Sequence, residues 1–374
     1  MRTVLAFALA LASFIAKAEI VVGVSVSATG PGTSLGVPTQ NTIGIAPKTI
    51  AGQPVRYVVL DDTSDPTTGV RGIRRLVSDD KVDVIIGSST VPVGIAQGAA
   101  ANEARVPIVV MCPVPADPSK QPYLFVVPQP ISLITDAIVD HMRAQNIKNV
   151  GYIGFADAWG DLVNRSMTSS AKPAGITLVS NERFARNDTS VSAQVLKVIA
   201  GNPDAILIGG AGTPSALPQI ALQERGFRKG VYHTHGVVNR DFIKVSGKAA
   251  EGALAPSGPV MVAEDLPDSH PSKAPGIEFL KRYEGAYGAG SRNAFAAYAW
   301  DGIALITAAA PIALQKAKPG TPEFRQAMRD ALETLKDVRG THGVYNMSPT
   351  DHYGVDKRAV VMVRVQNGEW KLVR

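Results

Sequence analysis

Cysteine is almost missing from this chain: a single one, Cys112, occurs in 374 residues. It has no partner for an intramolecular disulfide, which excludes a disulfide framework and a cysteine-based zinc cluster. Charge is sparse too. Acidic and basic residues together make up 19%, with a formal net charge of +6 and no dense Lys/Arg block, so nucleic-acid binding has little support. After the N-terminal segment, no stretch approaches the roughly twenty apolar residues needed to span a bilayer, which argues against a channel or permease. There is no GKS or GKT triplet, no GxSxG, no HExxH and no Cys/His pair at ligand spacing. A P-loop is thereby excluded, and the usual hydrolase and metalloprotease constellations are missing. What is present is ordinary globular material, with 45% hydrophobic residues, which rules out a disordered or fibrous chain. Gly 35 and Pro 26 make it somewhat loop-rich without a collagen-like period. At roughly 150 residues per domain, the length argues for two domains.

Residues 1–18 stand apart. Arg2 opens a short basic region, Val4 to Ile15 is apolar apart from Ser13, and Ala16-Lys17-Ala18 has the small-x-small pattern of a signal-peptidase site. The mature chain is expected to begin at Glu19 and to be soluble in a periplasm. No cysteine lies near the cleavage site, so no lipid anchor is expected there.

Along the mature chain, short β-rich runs alternate with segments of helical period. Ile20–Val26, Val55–Leu60, Val82–Ile86 and Ile108–Met111 read as strands, apolar enough to be parallel and buried on both faces. Val70, Ile73 and Val77 share one helical face, and Pro92–Ala104 is an Ala-rich helix. The pattern restarts with strands at Val150–Gly154, Ile176–Val179, Ala205–Ile208 and Val231–His233, with helices marked by Leu133/Ile134/Ala137/Ile138 and Val191/Val195/Val198. Two βαβ series predict an α/β protein with two doubly wound lobes. A single eight-stranded barrel is the alternative, disfavoured by the Pro-rich link from Pro113 to Pro130. Beyond Glu251 the sequence predicts a short strand at Gly252–Ala255 and a polar loop from Val260 to Pro275. Helices follow at Ala294–Ala309 and Pro322–Leu335, and then an antiparallel pair, Ala359–Val365 with Trp370–Val373. The chain is expected to cross between lobes three times, giving one lobe of residues 19–129 plus 257–342 and another of 130–256 plus 343–374. A small-molecule site then belongs in the cleft, at the carboxyl ends of strands from both lobes.

Four loops are expected to face that cleft. They are Gly30 to Gly36, which carries Ser34 and Leu35; Gly87 to Thr90; Cys112 to Ala116; and Gly209 to Pro214. Hydroxyls and free amides at helix starts suit a carboxylate, although Ser89, Thr90 and Thr213 also fit plain N-caps with Pro214 at the first helical position. A dinucleotide reading of Gly210 to Ser215 is weak, because the last glycine of GxGxxG is absent and the next strand ends at His235 instead of an acid. Asp61 and Asp62 point to opposite sides, and Asp65-Pro66 reads as a turn. His233 and His235 lie on one side of an extended segment; with no third ligand nearby, one structural and one cleft-facing histidine is the better reading than a metal pair. Cys112 reads as a small buried residue. Trp159, just past a strand end, reads as a cleft wall.

Taken in order, GPGTSLG, LDDTSDP, VDVIIGSST, VPIVVMCPVPADP, DAWGD, GGAGT and SPTDHYG resemble, nearly end to end, the periplasmic leucine/isoleucine/valine-binding protein family. These proteins are type I solute receptors of ABC importers. The resemblance implies two Rossmann-like lobes on a three-segment hinge, no enzymatic activity, no cofactor and no metal. It also implies a monomer that closes on its ligand and docks on membrane permease subunits. Carried over residue by residue, it assigns the α-carboxylate site to Ser88, Ser89 and Thr90 with Val114, Pro115 and Ala116. Trp159 becomes an aromatic wall and Leu35 an apolar contact, and Gly212 and Thr213 come from the GGAGT loop. His235 falls where the family's ammonium-binding acid stands, and the family disulfide has no counterpart. Burying an ammonium with no counter-charge costs several kcal/mol. Ala116 replaces a gripping threonine, and Pro38–Ile50 replaces a longer helix. These departures resemble the subgroup that captures aromatic acids such as benzoate or hydroxycinnamates. A branched-chain amino-acid or amide receptor, or a receptor that delivers cargo to a sensor, is the alternative.

Overall fold

A computed structural model describes residues Glu19–Arg374; the signal-peptide reading of residues 1–18 falls outside the described residues. Elements in the first part are β1 (Ile20–Val26), α1 (Thr33–Gly44), β2 (Thr49–Ile50), β3 (Gln53–Asp61) and α2 (Pro66–Ser78). They continue with β4 (Val84–Ile86), α3 (Val91–Glu103), β5 (Ile108–Val110) and β6 (Leu124–Val126). Their strands form one sheet in the order β2-β3-β1-β4-β5-β6, parallel except for the edge strand β2. Every residue of β1 is buried, as expected of a central parallel strand with helices on both faces.

The second series runs α4 (Ile131–Ala144), β7 (Asn149–Phe155), α5 (Ala158–Ala171), β8 (Thr177–Phe184), α6 (Ser192–Ala200) and β9 (Ala205–Gly209). It ends with α7 (Ala216–Glu224), β10 (Gly230–His233), α8 (Arg240–Ser246) and β11 (Leu254–Ser257). Then come α9 (Lys273–Tyr287), α10 (Ala294–Leu314), α11 (Pro322–Thr334), the two-residue strands β12 (Val338–Arg339) and β13 (Val344–Tyr345), and finally β14 (Val361–Gln366) and β15 (Glu369–Leu372). The second sheet has the order β15-β14-β11-β10-β9-β7-β8, in which β14 runs antiparallel to both of its neighbours and the other pairings are parallel. Two separate open sheets exclude the single barrel. The terminal pair turns through Asn367 and Gly368, both at positive φ, as the Asn-Gly dipeptide predicts.

Three local expectations are corrected. The segment after Gly32 is helix α1, twelve residues long with Pro38 inside it, so the first lobe retains a helix at this place. Val260–Ala263 are buried in a 3-10 turn, and α9 begins at Lys273; the prolines there shape a packed turn instead of a polar loop. Helix α10 runs through Pro311 to Leu314, which makes it long and apolar enough for a membrane span by length and composition. It is instead a core helix packed on α1 and α11, with 61% of its most apolar window buried.

Segments passing between the sheets meet on α10. Asp301 accepts from the backbone N–H groups of Thr341 (2.7 Å) and His342 (2.9 Å) and from the Tyr345 hydroxyl (2.9 Å). Tyr345 also donates to the carbonyl of Val127, at 3.3 Å. Tyr298 donates to Gln129 Oε1 at 2.7 Å, and the imidazole of His342 stacks on the Tyr298 ring at 3.8 Å. Gly258, on the segment after β11, lies so close that a Cβ there would come within 1.7 Å of His342 Nδ1. Two of these passages are thus bonded to one helix face, and the third packs against the His342 ring that covers it.

Candidate ligand-binding cleft

The carboxyl ends of both parallel sheets converge on one enclosed space, the location expected for an α/β ligand site. From the first sheet come Leu35 after β1, Ser89, Thr90 and Val91 after β4, and Cys112 and Pro113 after β5. From the second come Trp159 after β7, Arg186 after β8, Ala211 after β9, and His235 and Gly236 after β10, with Phe295 from the start of α10. The volume is about 20 Å³, little more than a single water requires. A ring-sized molecule can enter only if the two sides part.

Each side chain is held by local chemistry. Asp157 caps α5, its Oδ1 accepting from the N–H groups of Trp159 (2.9 Å) and Gly160 (3.2 Å). The Trp159 indole N–H donates to the Gly210 carbonyl at 3.2 Å, which fixes the ring plane against the cavity. His235 meets Trp159 edge-on at 5.7 Å and lies parallel to Phe295 at 6.3 Å. Its Nδ1 is buried with no hydrogen-bond partner, and burial pulls its pKa down to about 4, so at neutral pH it is an uncharged ring. His233 instead packs away from the cavity, its Nε2 paired with Gln219 Oε1 at 2.7 Å, so the two histidines divide into one structural and one cleft-facing. Burial also drives the Cys112 thiol far above its ordinary pKa, leaving a small neutral wall residue.

Thr90 occupies the N-cap position of α3, but its side chain makes no capping bond. Ser88 lies behind it, fully buried, accepting from the Thr90 N–H at 3.3 Å and contacting Ser27 Oγ at 3.2 Å. Ser27 donates to Asp62 at 2.7 Å, and Asp62 also takes Ser25 at 3.2 Å. Asp61 turns the other way, to Thr29 and the Ala28 N–H. The Ser/Thr loop is therefore propped from below by a buried carboxylate that opposite-facing neighbours in the sequence only hinted at.

Of the residues singled out from the sequence, Leu35, Ser89, Thr90, Trp159 and His235 share this cavity. Ser34, Gly212 and Thr213 form a contact across its rim: the Thr213 N–H donates to Ser34 Oγ at 3.3 Å. Gly212 holds φ +65°, and a Cβ on it would approach Ser34 Oγ to 2.8 Å, so glycine is needed for both conformation and approach. Val114, Pro115 and Ala116 do not line the space. Val114 is buried with its carbonyl accepting from the Tyr353 hydroxyl at 2.6 Å, Pro115 is exposed, and the loop instead presents Cys112 and Pro113. Val91, Phe295 and Arg186 lie outside the four loops expected at the cleft, whereas Ala211 lies within the loop from Gly209 to Pro214. Val91 carries a usable signal, since it directly follows Thr90, whereas nothing in the sequence places the start of α10 at the cleft.

The sequence from 19 to 369 matches the model of a family described as periplasmic binding protein. The chain belongs to the periplasmic binding protein family. Among solved structures, an extracellular ligand-binding receptor from Rhodopseudomonas palustris HaA2 is 46% identical, with 95% of this chain and 100% of that one covered and a TM-score of 0.93. A Leu/Ile/Val-binding protein homolog from Brucella melitensis is 23% identical over 90% of this chain and 89% of its own length. A solute-binding protein of an R. palustris ABC transporter, solved with benzoate, shares the fold at 18% identity and a TM-score of 0.79, with 95% of each chain covered. This periplasmic binding protein is thus a solute-binding, leucine-binding-protein-like member with the type I fold, and its family consists of receptors, not enzymes.

Proposed function

We propose that this periplasmic binding protein is the receptor of an ABC importer and captures a small aromatic carboxylate, such as benzoate or a hydroxycinnamate, between its lobes. The observation that carries this reading is the cavity wall: Trp159, His235 and Phe295 supply three rings, Arg186 is a cation, and no lining residue is a carboxylate. An amino-acid ligand would bury its ammonium beside a neutral imidazole and a guanidinium, which is costly. The lobes of this reading comprise 19–129 with 257–342 and 130–256 with 343–374, and closing is the relative movement of these two bodies. The protein acts as a monomer, exported by cleavage after residue 18 without a lipid, and presents its closed form to membrane permease subunits. The benzoate-bound fold neighbour supports an aromatic acid; the Brucella relative keeps a branched-chain amino acid as the competing ligand.

A thermal-shift screen of the chain from Glu19, unfolded and refolded to strip copurified ligand, tests this. Ligand at about 100 times its Kd stabilises by about 2.7 kcal/mol. Stabilisation by benzoate or hydroxycinnamates and not by leucine or valine is expected; stabilisation by leucine alone would overturn the aromatic reading while leaving the receptor class intact.

Closure itself can be tested at the rim. Gly212→Ala introduces backbone strain of about 1–3 kcal/mol and displaces Ser34 in the closed form. Affinity for the acid that scores in the screen is expected to fall about tenfold, equivalent to about 1.4 kcal/mol, by isothermal titration calorimetry. Unchanged affinity would remove the Ser34–Thr213 contact from the closing step.

A further inference from the structure

Resting on the aromatic-carboxylate reading above, we propose that Arg186 is the residue that selects an anionic ligand head, and that Asp157 positions it. Arg186 lies two residues beyond β8, in a short loop closed by Asp188 accepting from the Ala185 N–H at 2.8 Å. Three constraints hold the side chain. Its Nε donates to Asp157 Oδ2 at 2.6 Å. Its guanidinium carbon stacks over the Phe155 ring at 4.2 Å. Asp157 in turn cannot swing away, because its other oxygen caps α5 and thereby fixes Trp159. The guanidinium is therefore anchored by one edge, with its side chain only 15% exposed.

The opposite edge is uncommitted: neither Nη atom has a hydrogen-bond partner among the described residues. A guanidinium carries five donors, and a largely desolvated one needs acceptors for them. The cavity offers no carboxylate, and its other titratable groups, His235 and Cys112, are held neutral by burial. A ligand carboxylate meets the free Nη pair with two parallel charge-assisted bonds. Arg186 belongs to the second sheet's side of the cleft, whereas Ser89 and Thr90 belong to the first. A ligand that engages both draws the sides together, which is the differential interaction that population-shift closure requires. The carboxylate grip thus sits on the side opposite the Ser/Thr loop to which the sequence resemblance assigns it.

The test compares acids with neutral isosteres. Dissociation constants for benzoate and benzamide, and for 4-hydroxycinnamate and its amide, are measured calorimetrically on wild type, Arg186→Gln and Arg186→Lys. Wild type is expected to prefer acid over amide by about 100-fold or more, because a site built for a charged group rejects the analogue lacking it. Arg186→Gln should lose most of that preference while amide affinity changes less than about threefold. Arg186→Lys should retain charge but bind the acid about tenfold more weakly, having no fork. An unchanged acid preference in Arg186→Gln overturns the assignment, as does an equal loss for acid and amide, which would make Arg186 only a wall. If wild type binds none of these acids, the functional reading itself fails, and the assignment with it. A second measurement needs no variant. Carboxyl-13C benzoate bound to wild type should titrate below the free acid; a titration above it would mean burial without a cationic partner and would overturn the grip.

Discussion

Lowering the pH from 7 to 5 is expected to cost this protein about 4 kcal/mol of folding stability. The loss comes from three buried histidines. Burial lowers His233 and His342 to about 3 and His235 to about 4, against a reference of 6.5. A histidine whose folded pKa lies below its unfolded value contributes stability that is complete above 6.5 and drains away as the pH falls towards the folded value. At pH 5 each has lost about 2 kcal/mol, at 1.36 kcal/mol per pH unit. Asp301 works in the other direction, because burial raises it from 3.8 to about 6, so acidification returns about 1 kcal/mol through it. Asp62 and Asp83, also raised by burial, add to that offset. Each of the three imidazoles has a buried Nδ1 with no acceptor, so a second ring proton would arrive with nothing to receive it. Urea unfolding followed by tryptophan fluorescence at the two pH values measures the difference. A change below about 1 kcal/mol would mean that the histidines hydrate before the fold yields.

Asp301→Ala is expected to destabilise by about 3–5 kcal/mol, because it strands two buried backbone donors at once and removes the shorter bond of a third. Thr341 N–H and His342 N–H lose their acceptor, the Tyr345 hydroxyl keeps only its longer bond to the Val127 carbonyl, and Gly340 packs against the same carboxylate with no room for a side chain. Such a loss is a large share of a typical stability of about 5–15 kcal/mol. Asp301→Asn keeps one acceptor oxygen but turns an amide N–H₂ towards a donor, so it should fall between wild type and Ala. Chemical denaturation of the three proteins decides the matter. Ala within about 1 kcal/mol of wild type would show that water replaces the carboxylate.

The parallel strands are readable because β1, β4, β5 and β9 are largely apolar runs, all of whose residues are buried, and such runs have few other places to go. Helix α1 was not readable. Gly36, Pro38, Thr39 and Thr42 look like loop residues, yet Thr39 and Thr42 bond back to the carbonyls of Leu35 and Pro38 and reach the carbonyls of Phe295 and Ala296 on α10. Tertiary contacts more than 250 residues away along the chain override local propensity there. The cleft was partly legible for the same reason as the strands: Thr90, Trp159 and His235 follow strand ends. Arg186 follows one as well, but its neighbours Asn187, Asp188 and Thr189 read as a solvated turn. Its value depends on Asp157, 29 residues earlier, and no spacing rule links them.

Helix α10 carries Phe295 at the cavity, then Tyr298 and Asp301 at the passages, within two turns of one rigid rod. A substitution at position 295 would therefore be felt at the segments bonded to Tyr298 and Asp301 as well as at the cavity wall. Diversification of this receptor, whether by natural drift or in the laboratory as a biosensor scaffold, is best spent on Leu35, Val91 and Ala211, which touch the cargo space from other elements. Libraries randomised there should alter the cavity wall without disturbing the bonds at Tyr298 and Asp301, whereas libraries at 295 should change both.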